Sequence, residues 1–373
     1  MTAEGQLREW LDAIAAPGGV VSAVEVVVAS TGGFAFRHAA GFRVGGERLG
    51  GGAPARFDIA SLTKPWMATL GLLLDRDGSP RLSDALPRSG GGAPAGNGAT
   101  LEDLLRHHAG LPAWTPLAPR LGRRLGEAGA LRDFLLGERA GRSGRAGEFH
   151  PERGARSTPV YSDLGYVLWG LLAEEAADAP LATLLDERVC GPLGVAALGE
   201  LARGAEIPDA VECRLDNGRE VELAAAQGIA LGRQRALLRG VPQDANARTL
   251  RAAGISCAHA GLFATADELL ALAREWLRPE KLLATAEVER ALAGGGEYAL
   301  GWARQSAEGS SGPALSPAAF GHTGFTGCSL WIDPRRATIF VLLAHRHSSA
   351  IDFNPFRREF HRLAAQLPLE TLR

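Results

Sequence analysis

Lysine is almost missing from this chain. Its 373 residues include 40 lysines and arginines together, and only Lys64 and Lys281 are lysines. An arginine guanidinium keeps its proton at any ordinary pH, so a lysine retained in such a background stands out as a group able to act as a base. Cysteine is sparse too. Cys190, Cys213, Cys257 and Cys328 form no C-x-x-C pair, which excludes a disulfide framework or zinc knuckle and predicts reduced, mostly buried thiols. No apolar run approaches the roughly 18 residues of a membrane-spanning helix; 337–344 is among the longest. With a net charge of −2 the chain has no field that would steer it to nucleic acid or a membrane surface. Residues 1–16 carry Glu4, Arg8, Glu9 and Asp12 where a secretory signal has a basic region and an apolar stretch. With Met1 as the true start, this predicts a cytoplasmic protein.

What is present reads as a folded globule, with 46% hydrophobic and 22% charged residues. The length suits two domains, or one with a large insertion. Leu7, Trp10, Leu11 and Ile14 form a helical stripe. Residues 21–29 and 34–38 read as strands joined by a glycine turn, and 320–333 and 337–345 as two more joined at Asp333-Pro334. Asn354-Pro355 then opens a helix with the stripe Phe356, Phe360, Leu363 and Leu367. Between the two ends lie helical spacings at 66–74, 101–106, 131–136, 164–176, 181–189 and 266–277. Gly/Pro/Arg-rich stretches at 89–99 and 139–147 separate some of them, and no fixed repeat appears. The arginine-rich segment 116–157 reads as a solvated insertion. The expected architecture is α+β: a mixed antiparallel sheet from residues 1–60 and 297–373, flanked by the N- and C-terminal helices. A mainly helical domain, 61–296, is inserted between, with the active site in the cleft.

Three short motifs carry candidate chemistry. Ser61 and Lys64 in S-x-x-K share one helical face, close enough for the ammonium to reach the hydroxyl. Serine is a weak nucleophile without a base, and a desolvated lysine can supply one. Pro65 requires that the helix begin near Ser61. The alternative is that Ser61 caps a helix and Lys64 is solvated. Tyr161, in Tyr161-Ser162-Asp163, stands at a helix start and could pass protons beside Lys64; otherwise Ser162 or Asp163 is a cap and Tyr161 a packed ring. In Gly321-His322-Thr323-Gly324-Phe325-Thr326-Gly327, glycines bracket His-Thr, so the strand backbone can approach a ligand and offer N–H groups. The alternative there is a bulged strand around a buried histidine.

Other chemistries find little support. There is no G-x-S-x-G for an α/β-hydrolase and no H-E-x-x-H for a zinc hydrolase. His345 and His347 point to one strand face but lack a third ligand, so no metal is expected. His107 and His108 read as loop packing after a helix opened by a Thr100…Asp103 capping box, and Cys328 as a small core residue.

Taken together, the three motifs resemble the serine β-lactamase and penicillin-binding protein superfamily, in particular its class C-like branch of esterases and D-amino-acid peptidases. The segments 107–112, 258–267 and 298–302 also look like parts of that branch. The resemblance implies a β-lactamase/transpeptidase-like fold and an acyl-enzyme mechanism without a cofactor. Ser61 would be the nucleophile, Lys64 and Tyr161 would move protons, and the N–H groups of Ser61 and Phe325 would form the oxyanion hole. Asp163, His322, Thr323 and Gly324 would bind a small ester, amide or lactam. Small esters are the first expectation, D-aminoacyl amides or peptides the second, and β-lactams the third. A ligand-binding protein without turnover is the remaining alternative, disfavoured because Ser61, Lys64 and Tyr161 are all present. Two positions depart from the family pattern. Asp163 replaces an asparagine; beside Lys64 it would raise the lysine pKa, shift proton work to Tyr161, and suit an amine-bearing acyl group. His322 replaces a lysine, which weakens any fixed cation for a substrate carboxylate.

Overall fold

The computed structural model describes residues 2–368, apart from 32, 43–45, 51–54, 88–97, 128, 141–158, 200–206 and 208. Most of the two Gly/Pro/Arg-rich stretches, and much of the arginine-rich 116–157 segment, lies outside the described residues. Ten strands are present among them: β1 (Val21–Ser30), β2 (Gly33–Gly41), β3 (Phe57–Asp58), β4 (Cys213–Asp216), β5 (Arg235–Leu238), β6 (Phe263–Ala264), β7 (Ala303–Arg304), β8 (Phe320–Thr323), β9 (Gly327–Asp333) and β10 (Thr338–Arg346). Six form one sheet in the order β2-β1-β10-β9-β8-β7, with every pairing antiparallel. The first strands of the chain thus pair with the last.

The period-2 alternation of strand side chains explains why β1 and β10 are apolar almost throughout: both sheet faces are covered. Val24, Val26 and Val28 of β1 and Phe340, Leu342 and Ala344 of β10 face the two terminal helices, Ala3–Ile14 and Asn354–Ala364. Leu7, Leu11, Ile14, Phe360 and Leu363 close that layer. Ala23, Val27 and Ala29, with Ile339, Val341 and Leu343, face the other way into the main core. A helix at Ala266–Leu277 lies on this inner face against β10, β9 and β1. Its apolar stripe, readable in the sequence within the helical segment, does not reveal that its partner is the sheet.

Residues 320–333, expected as one strand, form a hairpin instead: β8 pairs with β9, with Thr323 opposite Ser329. The reversal follows from its glycines. Gly327 has φ 123°, a conformation open only to glycine, and a Cβ on Gly324 would stand 2.5 Å from the Ile59 carbonyl oxygen. The segment 61–296 holds helices at Thr63–Asp77, Leu101–Leu105 and Asp163–Ala177, and also the small antiparallel ribbon β4–β5. The capping box is formed: Asp103 N–H donates to Thr100 Oγ1 (3.3 Å), and Thr100 N–H donates to Asp103 Oδ2 (2.8 Å). Thr100→Ala is expected to lower stability by about 1 kcal/mol in urea unfolding, and an unchanged midpoint would contradict it. No helix among the described residues is long and apolar enough to cross a membrane.

Candidate active site

Ser61 follows a tightly held turn. Ala60 adopts φ 44°, a left-handed conformation costing a non-glycine residue roughly 1–2 kcal/mol. It is locked there because Asp58 Oδ1 accepts the Ala60 N–H (3.0 Å) while Asp58 Oδ2 accepts the Gln243 N–H (2.6 Å). His345 Nε2 accepts the Asp58 N–H (3.1 Å) and its Nδ1 donates to the Glu212 carbonyl (3.0 Å), so both ring nitrogens are engaged with backbone. From this turn a short 3-10 segment, Ala60–Leu62, leads into the helix Thr63–Asp77, which places Pro65 in the first turn, where its missing N–H costs nothing.

Lys64 is fully buried. Its Nζ donates to Ser61 Oγ at 2.9 Å, to Asp163 Oδ1 at 2.7 Å and to the His259 carbonyl at 3.0 Å, so all three ammonium hydrogens are used. Tyr161 lies beside it, with Nζ 4.8 Å from the ring centroid. The Tyr161 ring is fixed by His107 (4.6 Å between centroids), Tyr298 (5.8 Å) and His322 (5.9 Å). His107 Nδ1 accepts the Ser162 N–H (3.0 Å), which ties the ring to the start of the Asp163–Ala177 helix. Ser162 Oγ caps that helix by accepting the Gly165 N–H (3.1 Å), and Asp163 is its first residue, where the helix field favours a carboxylate.

The charges follow from these contacts. Burial works against the Lys64 ammonium, but Asp163 and Tyr161 outweigh it and raise the pKa above its ordinary value. Burial raises the Tyr161 phenol and Asp163 adds to it, while Lys64 and Ser61 pull it back. Lys64 is therefore a cation at neutral pH. His322 is pushed down to about 3 by burial and by Lys64, and its Nδ1 donates to its neighbour's carbonyl, Thr323 O, at 2.9 Å. It supplies no cation. The wall near Thr323 nevertheless carries two, because Arg346 and Arg357 line the same cavity. Arg346 stacks on the Phe325 ring (4.5 Å), and Arg357 donates to the carbonyls of Gly324 (2.7 Å) and Cys328 (3.1 Å), pinning the β8–β9 turn. Neither arginine belongs to the three motifs.

One cavity of about 510 Å³ is lined by Ser61, Tyr161, Asp163, Thr323, Gly324 and Phe325. Each of these residues comes from one of the three motifs. His322 sits behind the wall against Tyr161. Sequence reasoning missed His259, Asp244 and Glu220. His259 Nε2 and Asp244 Oδ1 are 3.0 Å apart, and Glu220 and Asp244 also line the cavity. His259 fell within a segment quoted for the resemblance, but no spacing links Asp244 or Glu220 to the motifs. Among the cysteines, Cys190, Cys213 and Cys328 are buried and Cys257 partly so, and all are free.

The Beta-lactamase family model matches residues 7–364. The chain belongs to that family. A relative from Escherichia coli (strain K12), provisionally named D-alanyl-D-alanine carboxypeptidase, is 27% identical over 295 residues, covering 74% of this chain and 63% of that protein. The chain spans less than two thirds of the length of the curated relatives it matches. Among solved structures, EstCE1, a hydrolase with promiscuous acyltransferase activity, superposes with a TM-score of 0.68 at 18% identity, covering 98% of this chain and 99% of the other. The D-amino acid amidase of Ochrobactrum anthropi SV3 gives 0.64 at 17%, covering 98% and 97%. At these identities the likeness is one of fold: the β-lactamase/transpeptidase-like α+β architecture.

Proposed function

We propose that this chain is a serine hydrolase that cleaves small esters or amides through an acyl-enzyme on Ser61. The observation that carries the reading is the buried Lys64 ammonium bridging Ser61 Oγ (2.9 Å) and Asp163 (2.7 Å), with the Tyr161 ring 4.8 Å away and Ser61, Asp163 and Tyr161 lining one cavity. In this reading the sheet portion, residues 1–60 and 297–373, and the helix-rich portion, 61–296, hold the substrate between them, with the helix Ala266–Leu277 on the sheet side.

Ser61 Oγ attacks the carbonyl carbon and its proton passes to the Tyr161 phenolate, which the Lys64 ammonium stabilises. The N–H groups of Ser61 and Phe325 hold the developing oxyanion, and Thr323 and Gly324 position the substrate along the end of β8. Tyr161 then returns the proton to the leaving alcohol or amine. Water, deprotonated by the same phenolate, releases the acid. His322 packs against Tyr161 as a neutral ring and carries no proton in this scheme. Kinetics with p-nitrophenyl esters and D-aminoacyl p-nitroanilides on wild type and Ser61→Ala test the reading. Turnover lost in the variant supports it, and turnover retained there overturns it.

Because both Lys64 and Tyr161 are protonated at rest, kcat/KM is expected to rise with pH above neutrality. Asp163 raises both groups. Asp163→Asn is therefore expected to move the rising limb to lower pH. A limb that stays in place contradicts Tyr161 as the base next to a charged Lys64.

A further inference from the structure

Three of the carboxylates that line the cavity are Asp163, Asp244 and Glu220. We propose that they form a subsite for an ammonium group carried by the acyl part of the substrate, with Glu220 as its specificity residue. The inference rests on the acyl-transfer reading and names the substrate class for that same site.

Glu220 sits in the helix Gly218–Ala225 and is 5% exposed. Its Oε1 accepts the Ala245 N–H at 2.9 Å, whereas its Oε2 is buried without any hydrogen-bond partner. A buried carboxylate oxygen left unmatched in a cavity wall calls for a donor from the ligand. Asp163 and Asp244 complete the surround: together with His259 they offer ligand atoms that all lie within 4.8 Å of one another. Asp163 already holds the Lys64 ammonium, which also holds Ser61 Oγ, so its carboxylate stands one ammonium group away from the nucleophile. That is where an amine on the carbon next to the reacting carbonyl arrives.

The local charges fit an incoming cation. Burial raises the Glu220 pKa and Asp244 and Asp163 add to it, the Ala245 N–H and Arg248 lower it, and the balance lies at about 7. A bound ammonium opposes the first two effects and draws Glu220 to its ionised form. The His259–Asp244 pair stays charged: burial opposes the His259 cation, but Cys257 and Asp244 raise it, and Asp244 in turn lies at about 2 because His259 outweighs its burial. Arg219, beside Glu220, also lines the cavity and is engaged with Glu222.

The test compares D- and L-alanine benzyl esters with benzyl propionate, which lacks only the amine. The faster alanine ester is expected to exceed the propionate in kcat/KM by at least about thirtyfold, the worth of a charge-assisted hydrogen bond in a buried site. Glu220→Gln is expected to shrink that ratio at least about tenfold while leaving benzyl propionate hydrolysis and fluorophosphonate labelling unchanged. No preference in wild type, or a preference that survives in Glu220→Gln, overturns the subsite. Calorimetry of alaninamide and propionamide with Ser61→Ala reads the subsite without chemistry. Binding of alaninamide alone supports it, and equal binding of both or of neither overturns it. If propionate turnover is lost in all forms while alaninamide still binds Ser61→Ala, the acyl-transfer reading fails and the subsite stands. Zn²⁺ heat that depends on Glu220, with none from alaninamide, assigns the carboxylates to a metal and overturns the ammonium reading.

Discussion

Lys64→Met is expected to cut kcat/KM for ester hydrolysis by on the order of 10⁴-fold while leaving the protein folded. Methionine nearly matches the volume of the lysine stem, so the tightly packed start of the Thr63–Asp77 helix keeps its shape. What disappears is the charge that bridges Ser61 Oγ and Asp163 and favours the Tyr161 phenolate. The Asp163 side chain, 16% exposed, is left without its cation. Adding Asp163→Asn to this variant should restore stability without restoring turnover. Paired esterase assays and thermal melts check both halves. A loss below tenfold in folded Lys64→Met would mean that the ammonium does not participate.

Mild acid is expected to unfold the chain steeply. His107, His322, His345 and His361 are buried and neutral, pushed down by burial to about 3 in His322, to about 4 in His345 and His361, and well below the ordinary value in His107. In the unfolded chain each takes a proton below about pH 6.5. Their stabilising contribution is thus fully present above that pH and is lost as pH falls toward the folded values. Asp58, raised by burial to about 6, and Glu220, at about 7, act in the opposite sense: the folded state holds their protons where the unfolded state releases them. Near pH 5.5 the unfolded chain binds about two more protons than the folded one, giving a loss of about 3 kcal/mol per pH unit. Urea unfolding at pH 7, 6 and 5 measures this slope. A flat response would show that these histidines are protonated in the fold.

Much of this architecture is legible in the sequence, for identifiable reasons. Alternating or continuous apolar strands at both ends, each followed or preceded by a striped helix, announce a sheet closed by the chain's two termini. The Thr100…Asp103 capping box is local chemistry, and it appears where the spacing puts it. The reversal at 324–326 is not legible as a turn because it depends on tertiary contact: a Cβ on Gly324 would meet the Ile59 carbonyl, and Gly327 takes a positive φ. Likewise the stripe of Ala266–Leu277 predicts a helix but not its seat on the sheet.

The candidate site divides in the same way. S-x-x-K fixes the Ser61–Lys64 contact within one helical turn, and replacing asparagine by Asp163 already implied a stabilised ammonium. Asp244 and Glu220 reach the cavity from separate segments, with His259 bonded to Asp244 behind them, and only folding brings the three together, so no spacing announces Asp244 or Glu220. Arg346 and Arg357 reach the cavity from β10 and the last helix, and no spacing in the sequence links them to the three motifs.

Ser61 as the nucleophile is tested by intact and peptide mass spectrometry after reaction with a fluorophosphonate. One label per chain is expected, on the Ser61 peptide, and none in Ser61→Ala. Wild-type protein that is folded, hydrolyses an ester and carries the label on another residue, or on none, would contradict it.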